Sequence, residues 1–242
     1  MSPTKNKNIF HFKQFSVDQS DCAMKVNTDG VLLGALTFHE NPQFILDIGT
    51  GTGVIAMMLA QRFSAAKIDA IEIDVEAANT AKQNFENSAF NERLELYCNS
   101  FQQQLHLENN QKYDLIVSNP PFFINSLPSS TAAKTVAKHA DKQFFEELLH
   151  STATHLHNEG VLELILPLDS AELVKVISKS QGLCLQKVIS VHSFDYSIPH
   201  REILTFGFKC DKEASDIIVI YNQPKEYTTQ YQDLLKDFLT LF

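Results

Sequence analysis

Long apolar runs are missing from this chain, and so is any surplus of positive charge. No stretch approaches the roughly 20 consecutive apolar residues of a membrane span, and the N-terminal residues around Lys5 and Lys7 lack the apolar centre of a signal peptide. The chain is therefore expected to be neither exported nor anchored, and to work in the cytoplasm. With 20 Lys and Arg against 29 Asp and Glu, the formal net charge is −9, which argues against an affinity for nucleic acid built on blanket phosphate neutralisation. Any such contact must rest on local clusters.

Metal-binding patterns are missing as well. Cys22, Cys98, Cys184 and Cys210 are widely separated and form no C-x-x-C pair, so free thiols are expected. His150, His155 and His157 do not share one helix face with a carboxylate, so they are expected to be ordinary helix-surface residues and no metal is expected. Repeats, low-complexity tracts and Pro/Gly/Ser-rich linkers are also absent, so residues 1–242 are expected to form a single domain and a monomer.

What is present is a regular alternation. Short apolar runs at 44–47, 67–73, 94–97, 113–117 and 161–166 read as strands, and amphipathic stretches at 54–62, 76–88, 144–157 and 171–178 read as helices. Two closing strands, 183–192 and 203–209, flank a loop containing Pro199. The fold class expected is α/β: a seven-stranded, mostly parallel, Rossmann-like sheet with helices on both faces. Ahead of it, Thr28 is placed to cap a helix running to about Phe38, and Phe10, Phe12 and Phe15 are placed to fold over a cleft. A last helix is expected from Thr228.

The strongest local signal is Asp47-Ile48-Gly49-Thr50-Gly51-Thr52-Gly53, directly after a strand and before a helix. Glycines there permit positive φ and remove the Cβ atoms that would keep a ligand from the backbone. The spacing is G-x-G-x-G, with an acid two residues before the first glycine, where it repels a pyrophosphate but suits a cationic amino-acid group. Glu72, ending the next strand, is placed to accept from both hydroxyls of a ribose. Adenosine joined to methionine accounts for both acids, so S-adenosylmethionine is the cofactor expected. Asp74 is equally suited to contact it or to cap a helix.

The reacting group falls at Ser118-Asn119-Pro120-Pro121-Phe122, at the carboxyl end of the fourth strand, the edge where open α/β sheets bind ligands. An aromatic amine is a poor nucleophile until its N–H groups are drawn toward acceptors. Asn119 offers a side-chain oxygen, a proline-fixed turn aims the Pro120 carbonyl, and Phe122 gives a face for a base to stack on. Because the methyl sits on a sulfonium, the step needs in-line positioning more than a strong base.

These motifs resemble those of class I methyltransferases acting on exocyclic or amide nitrogens. More narrowly, Phe12-Lys13-Gln14-Phe15, Cys22-Ala23-Met24-Lys25-Val26, Thr28-Asp29-Gly30-Val31-Leu32-Leu33-Gly34-Ala35 and Ile198-Pro199-His200-Arg201-Glu202-Ile203-Leu204 resemble segments of the bacterial tRNA1(Val) (adenine-37-N6)-methyltransferases. The resemblance implies methylation of an adenine amine in tRNA, in a single-stranded loop whose base is splayed into a pocket. It implies cofactor contacts at Asp47, Gly49, Gly51, Gly53, Glu72, Asp74, Ser100 and Asn119, with residues 1–40 forming part of the cleft. Ser100 stands where relatives often carry an acid, Asn27 where they carry glycine, and Lys138-His139 where an Arg-His pair is usual.

Candidate substrate contacts are Lys25, Asp29, Pro121, Phe123, Lys138, His139 and Arg201. For Asp29 the first turn of a helix is the simpler role, where the dipole favours an acid. Two other functions fit the same motifs: methylation of a protein glutamine amide, and a non-catalytic protein that binds S-adenosylmethionine or RNA. The N-terminal signature favours RNA over the first, and intact Asn119 and Phe122 favour catalysis over the second.

Overall fold

Two clusters of buried apolar side chains, one on each face of a twisted sheet, decide where the elements lie. The computed structural model describes residues 8–20, 22, 24–107, 110–121 and 131–242, without the side chains of 131–139. In chain order the elements are β1 (Ile9–His11), β2 (Ser16–Asp18), α1 (Thr28–Leu36), β3 (Phe44–Ile48), α2 (Val54–Arg62), β4 (Lys67–Glu72), α3 (Val75–Glu86), β5 (Leu94–Cys98), α4 (Phe101–Leu107), β6 (Tyr113–Ser118) and α5 (Thr131–His155). There follow β7 (Leu156–Leu166), α6 (Leu168–Ser180), β8 (Cys184–His192), β9 (Arg201–Gly207), β10 (Ala214–Val219), β11 (Tyr221–Gln223), β12 (Glu226–Tyr227) and α7 (Thr229–Leu235).

The central sheet runs β5-β4-β3-β6-β7-β9-β8-β10. Only β9 is antiparallel to its neighbours. Residues such as Leu46, Ile116 and Leu164 are inaccessible, as strands covered on both faces must be. One cluster packs α1, α2 and Phe85 of α3 onto the sheet, and the other packs α4, α5 and α6 onto the opposite face. The chain leaves β3 for β4 on one side and returns to β6 on the other. That reversal is the topological switch point, where a crevice opens beyond the strand ends.

The α/β class stands, with four differences in detail. The sheet has eight strands rather than seven: β10 adds in parallel to β8, and its first half is polar and exposed, so it carries little apolar alternation. Lys187 of β8 and Asp216 of β10 pair across it at 2.7 Å. The cap of α1 is Asn27, whose side chain accepts from the Gly30 amide at 2.9 Å, with Thr28 the first helical residue. Phe12 and Phe15 are core residues rather than a lid, because a bridge from Phe12 to Leu239 and a hydrogen bond from Lys13 N to the Phe238 carbonyl fix this segment against the C-terminus. Cys184, at the start of β8, and Cys210, just past the end of β9, are joined in a disulfide with their Cα atoms 5.2 Å apart, while Cys98 carries a free thiol.

The histidines also divide. His155 is buried and its ring bridges the Ser151 and Leu105 carbonyls, tying α5 to α4, whereas His157 lies in β7. No helix among the described residues is long and apolar enough to cross a membrane.

Glu163, in mid-β7, is buried, and burial pushes its carboxyl from 4.5 up to about 7 against the pull of Thr37, Phe38, Thr205 and Arg62. A raised folded-state pKa means that stability is fully present below about pH 4.5 and is lost as pH rises through 7, by about 1.4 kcal/mol for each pH unit between those two values. Glu163→Gln keeps the acceptor for Phe38 N and Thr205 and removes the titration. It is expected to flatten the decline of urea-unfolding stability between pH 5 and 8. An unchanged profile would show that the carboxyl is not held protonated. The buried Asp47 titrates in the same window, so some decline remains.

Candidate active site

The loop after β3 is shaped by three consecutive demands on its backbone. Gly49, Gly51 and Gly53 all have positive φ, at 74°, 57° and 82°. A Cβ at Gly49 or Gly51 would meet no atom within 4 Å, so both face open space. At Gly53 it would strike the Phe85 ring at 2.4 Å, so this third glycine serves packing. Asn84 of α3, buried, donates to the carbonyls of Thr52 and Asp18 and accepts from Asp18 N, clamping the glycine loop to β2.

Two carboxylates hold the same loop. Glu72 accepts from the Gly51 amide through Oε2 and from the Asp74 amide through Oε1, both at 2.9 Å. Asp47 lies wholly beneath the loop and accepts from Thr50 Oγ1 at 2.6 Å, while its Oδ1 has no partner among the described residues. Burial raises its carboxyl from 3.8 to about 7; Thr50 and the Ala56 backbone pull it down and the Glu72 carboxylate pushes it up. Asp47 is not itself among the residues lining the cleft, whereas Thr50, which donates to it, is.

Across the switch point, Ser118 Oγ donates to the Ile48 carbonyl at 2.7 Å and locks the ends of β6 and β3 side by side. Asn119 follows, 8% exposed, and its Oδ1 is buried without a hydrogen-bond partner among the described residues. A buried amide oxygen left without a donor is costly in a resting protein and marks a group kept for a ligand. Asn119 faces a narrow cleft whose other walls are Gly49 and Gly51 on one side and Lys25, Asn27 and Gly30 on the other.

The sequence candidates therefore separate. Lys25, Gly49, Gly51 and Asn119 come together at the cleft, with Pro120 buried and Pro121 exposed just beyond. Asp74 caps α3 by accepting from the Ala77 amide, and Ser100 Oγ accepts from the Gln103 amide at the start of α4. Asp29 and Arg201 pair with each other at 2.7 Å, joining the first turn of α1 to the start of β9. Phe122 and Phe123 lie outside the described residues, as do the side chains of Lys138 and His139 on α5. Met24, Asn27, Thr50 and Thr52 also line the cleft, beyond the residues expected from sequence. The departure at Asn27 was the visible signal: a cap side chain does there what a glycine cannot.

The family model for the methyltransferase small domain matches residues 14–171. The chain is 44% identical over 236 residues to a tRNA1(Val) (adenine(37)-N6)-methyltransferase of Pedobacter heparinus, covering 98% of this chain and 100% of that one. It is 42% identical over 231 residues to the protein of the same name from Flavobacterium psychrophilum, covering 95% and 98%. Among crystal structures, a predicted O-methyltransferase from Agrobacterium tumefaciens superposes with a TM-score of 0.67 at 19% identity, over 87% of this chain and 96% of that one. A methyltransferase from Pyrococcus furiosus gives 0.56 at 21%, over 78% and 88%. At those identities the two structures speak to the fold alone.

Proposed function

This chain belongs to the methyltransferase small domain family and, within it, to the tRNA1(Val) (adenine(37)-N6)-methyltransferases, and on that premise we propose that it methylates the N6 amine of an adenine in tRNA, with S-adenosylmethionine as donor. The observation that carries the proposal at the level of chemistry is that Asn119, whose buried Oδ1 has no partner among the described residues, lines the same cleft as the glycine loop.

The residues present fit that donor. Open space over Gly49 and Gly51 admits a ligand against the backbone, and Glu72, already fixed by two amides, keeps lone pairs for ribose hydroxyls. Bound S-adenosylmethionine supplies a methyl on a sulfonium, an electrophile that needs no further activation. The chain's own part is positional. Asn119 Oδ1 and the Pro120 carbonyl accept the two N–H groups of the amine, turning its lone pair out of conjugation, and the proton lost after transfer leaves along one of these hydrogen bonds. Phe122 is the face against which the base stacks. Within a single domain, Met24, Lys25, Asn27 and Gly30 of the N-terminal segment complete the cleft, and the site operates in the cytoplasm on tRNA.

The test is transfer of labelled methyl from S-adenosylmethionine to total tRNA from a strain lacking this protein, followed by nucleoside analysis. N6-methyladenosine is the expected product. Methylguanosine would reassign the pocket, and label in protein but not in tRNA would move the acceptor to a glutamine amide.

A further inference from the structure

The loop joining β8 to β9, residues 193–200, is tightly built and yet turns its largest apolar side chains outward. Phe194 N donates to Ser197 Oγ, Ser197 N donates to the Phe194 carbonyl, His192 Nδ1 donates to the Ser197 carbonyl at 2.7 Å, and His200 N closes the root on Val191. On this fixed turn Tyr196 is 78% exposed and Ile198 82%. The Tyr196 ring stacks on Phe194 with centroids 5.3 Å apart and planes 6° from parallel. Phe194 is backed by Tyr221 at 5.8 Å, and Tyr221 by Tyr227 at 5.0 Å. Tyr196 is thus the open end of a supported aromatic ladder.

Its position links it to the cleft. β8 ends, and β9 begins, at the same edge of the sheet as Asn119, and β9 lies two strands from β6, a lateral distance of about 10 Å. Arg201, at the loop's root, is paired with Asp29, and Asp29 lies between the cleft residues Asn27 and Gly30. The root of the loop is therefore tied to the helix turn that borders the cleft. It offers little positive charge: Arg201 is engaged by Asp29, burial, aided by the Arg201 cation, holds His200 below the ordinary imidazole range, and the exposed Asp195 beside Tyr196 is an acid.

We propose that Tyr196, stacked on Phe194 and flanked by Ile198, is a platform on which a nucleobase beside the target adenine stacks when the substrate RNA docks. The inference rests on the tRNA substrate proposed above. An exposed, pre-stacked ring is what an unpaired base recognises, since every base has a π-face and no phosphate need be neutralised. That suits a chain of net charge −9. The order along the edge, cofactor loop, Asn119, then aromatic platform, places the neighbouring base to one side of the reacting amine.

Tyr196→Ala and Tyr196→Phe test it, both at an exposed position where folding is not at stake. With tRNA from a strain lacking the protein, Tyr196→Ala is expected to raise KM for tRNA about 5- to 100-fold, with KM for S-adenosylmethionine and the melting temperature unchanged. Tyr196→Phe should remain close to wild type, because the ring is kept. Unchanged KM for tRNA in Tyr196→Ala, with wild-type methylation intact, would overturn the platform alone and leave that surface to a protein partner. Absence of any transfer to tRNA by the wild-type chain would instead overturn the substrate assignment and this inference together.

Discussion

Asn119→Ala is expected to lower kcat for methyl transfer by at least about 100- to 1,000-fold, the usual loss when one preorganised polar group is removed from the reacting atoms. Cofactor affinity measured by calorimetry should hardly change, because the amide oxygen is directed to the acceptor amine. Folding gives an independent check. Removing a buried polar group normally destabilises a protein, but Oδ1 of Asn119 has no partner among the described residues to lose. Unfolding stability should therefore stay level or rise slightly, the signature of a side chain retained for function at the expense of stability. Full turnover in this variant would remove Asn119 from the mechanism. A large loss of stability would show that its oxygen is already engaged.

Gly53→Ala should give the largest effect on folding. Here φ is 82° and ψ is 8°, a left-handed conformation that costs an L side chain roughly 1–2 kcal/mol. The new Cβ would sit 2.4 Å from the Phe85 ring, and overpacking of this kind adds about 1–3 kcal/mol. Together these predict a loss of about 2–5 kcal/mol in urea unfolding. Weaker cofactor binding should follow, since the same shift moves the loop bearing Gly49 and Gly51. Phe85→Leu in the same chain relieves only the steric part, so the double variant should be more stable than the sum of the two single losses implies. Strict additivity would place the cost in backbone strain alone.

Elements whose burial is dictated by local pattern were legible in the sequence. β3, α2 and β4 match their expected bounds to within a residue, because apolar runs and turn glycines leave the chain few alternatives. Candidate cleft residues adjacent to strand ends, Gly49, Gly51 and Asn119, were legible for the same reason: a parallel sheet delivers those positions to one edge. What local pattern could not show were pairings between distant residues. Asp29 and Arg201 each look like a free surface charge, and only the fold joins them across 172 positions. The pairing of Cys184 with Cys210 depends on two strand ends meeting, and β10 carries too little alternation to announce itself. Asp47 was legible as an acid two residues before the glycine loop, but its complete burial was not.

The attachment of the N-terminal segment to the C-terminal one bears on the order in which the molecule is completed during synthesis. β3, β4 and the glycine loop can associate once the first hundred or so residues have left the ribosome. Phe12 and Lys13, however, find Leu239 and Phe238 only once those residues have emerged, and Lys13 Nζ reaches as far as the Phe242 carbonyl. Asp29 likewise waits for Arg201. The N-terminal segment is therefore tied down only after residues 201 and 238–239 have been made, and a chain truncated before them is expected to carry the glycine loop without these ties.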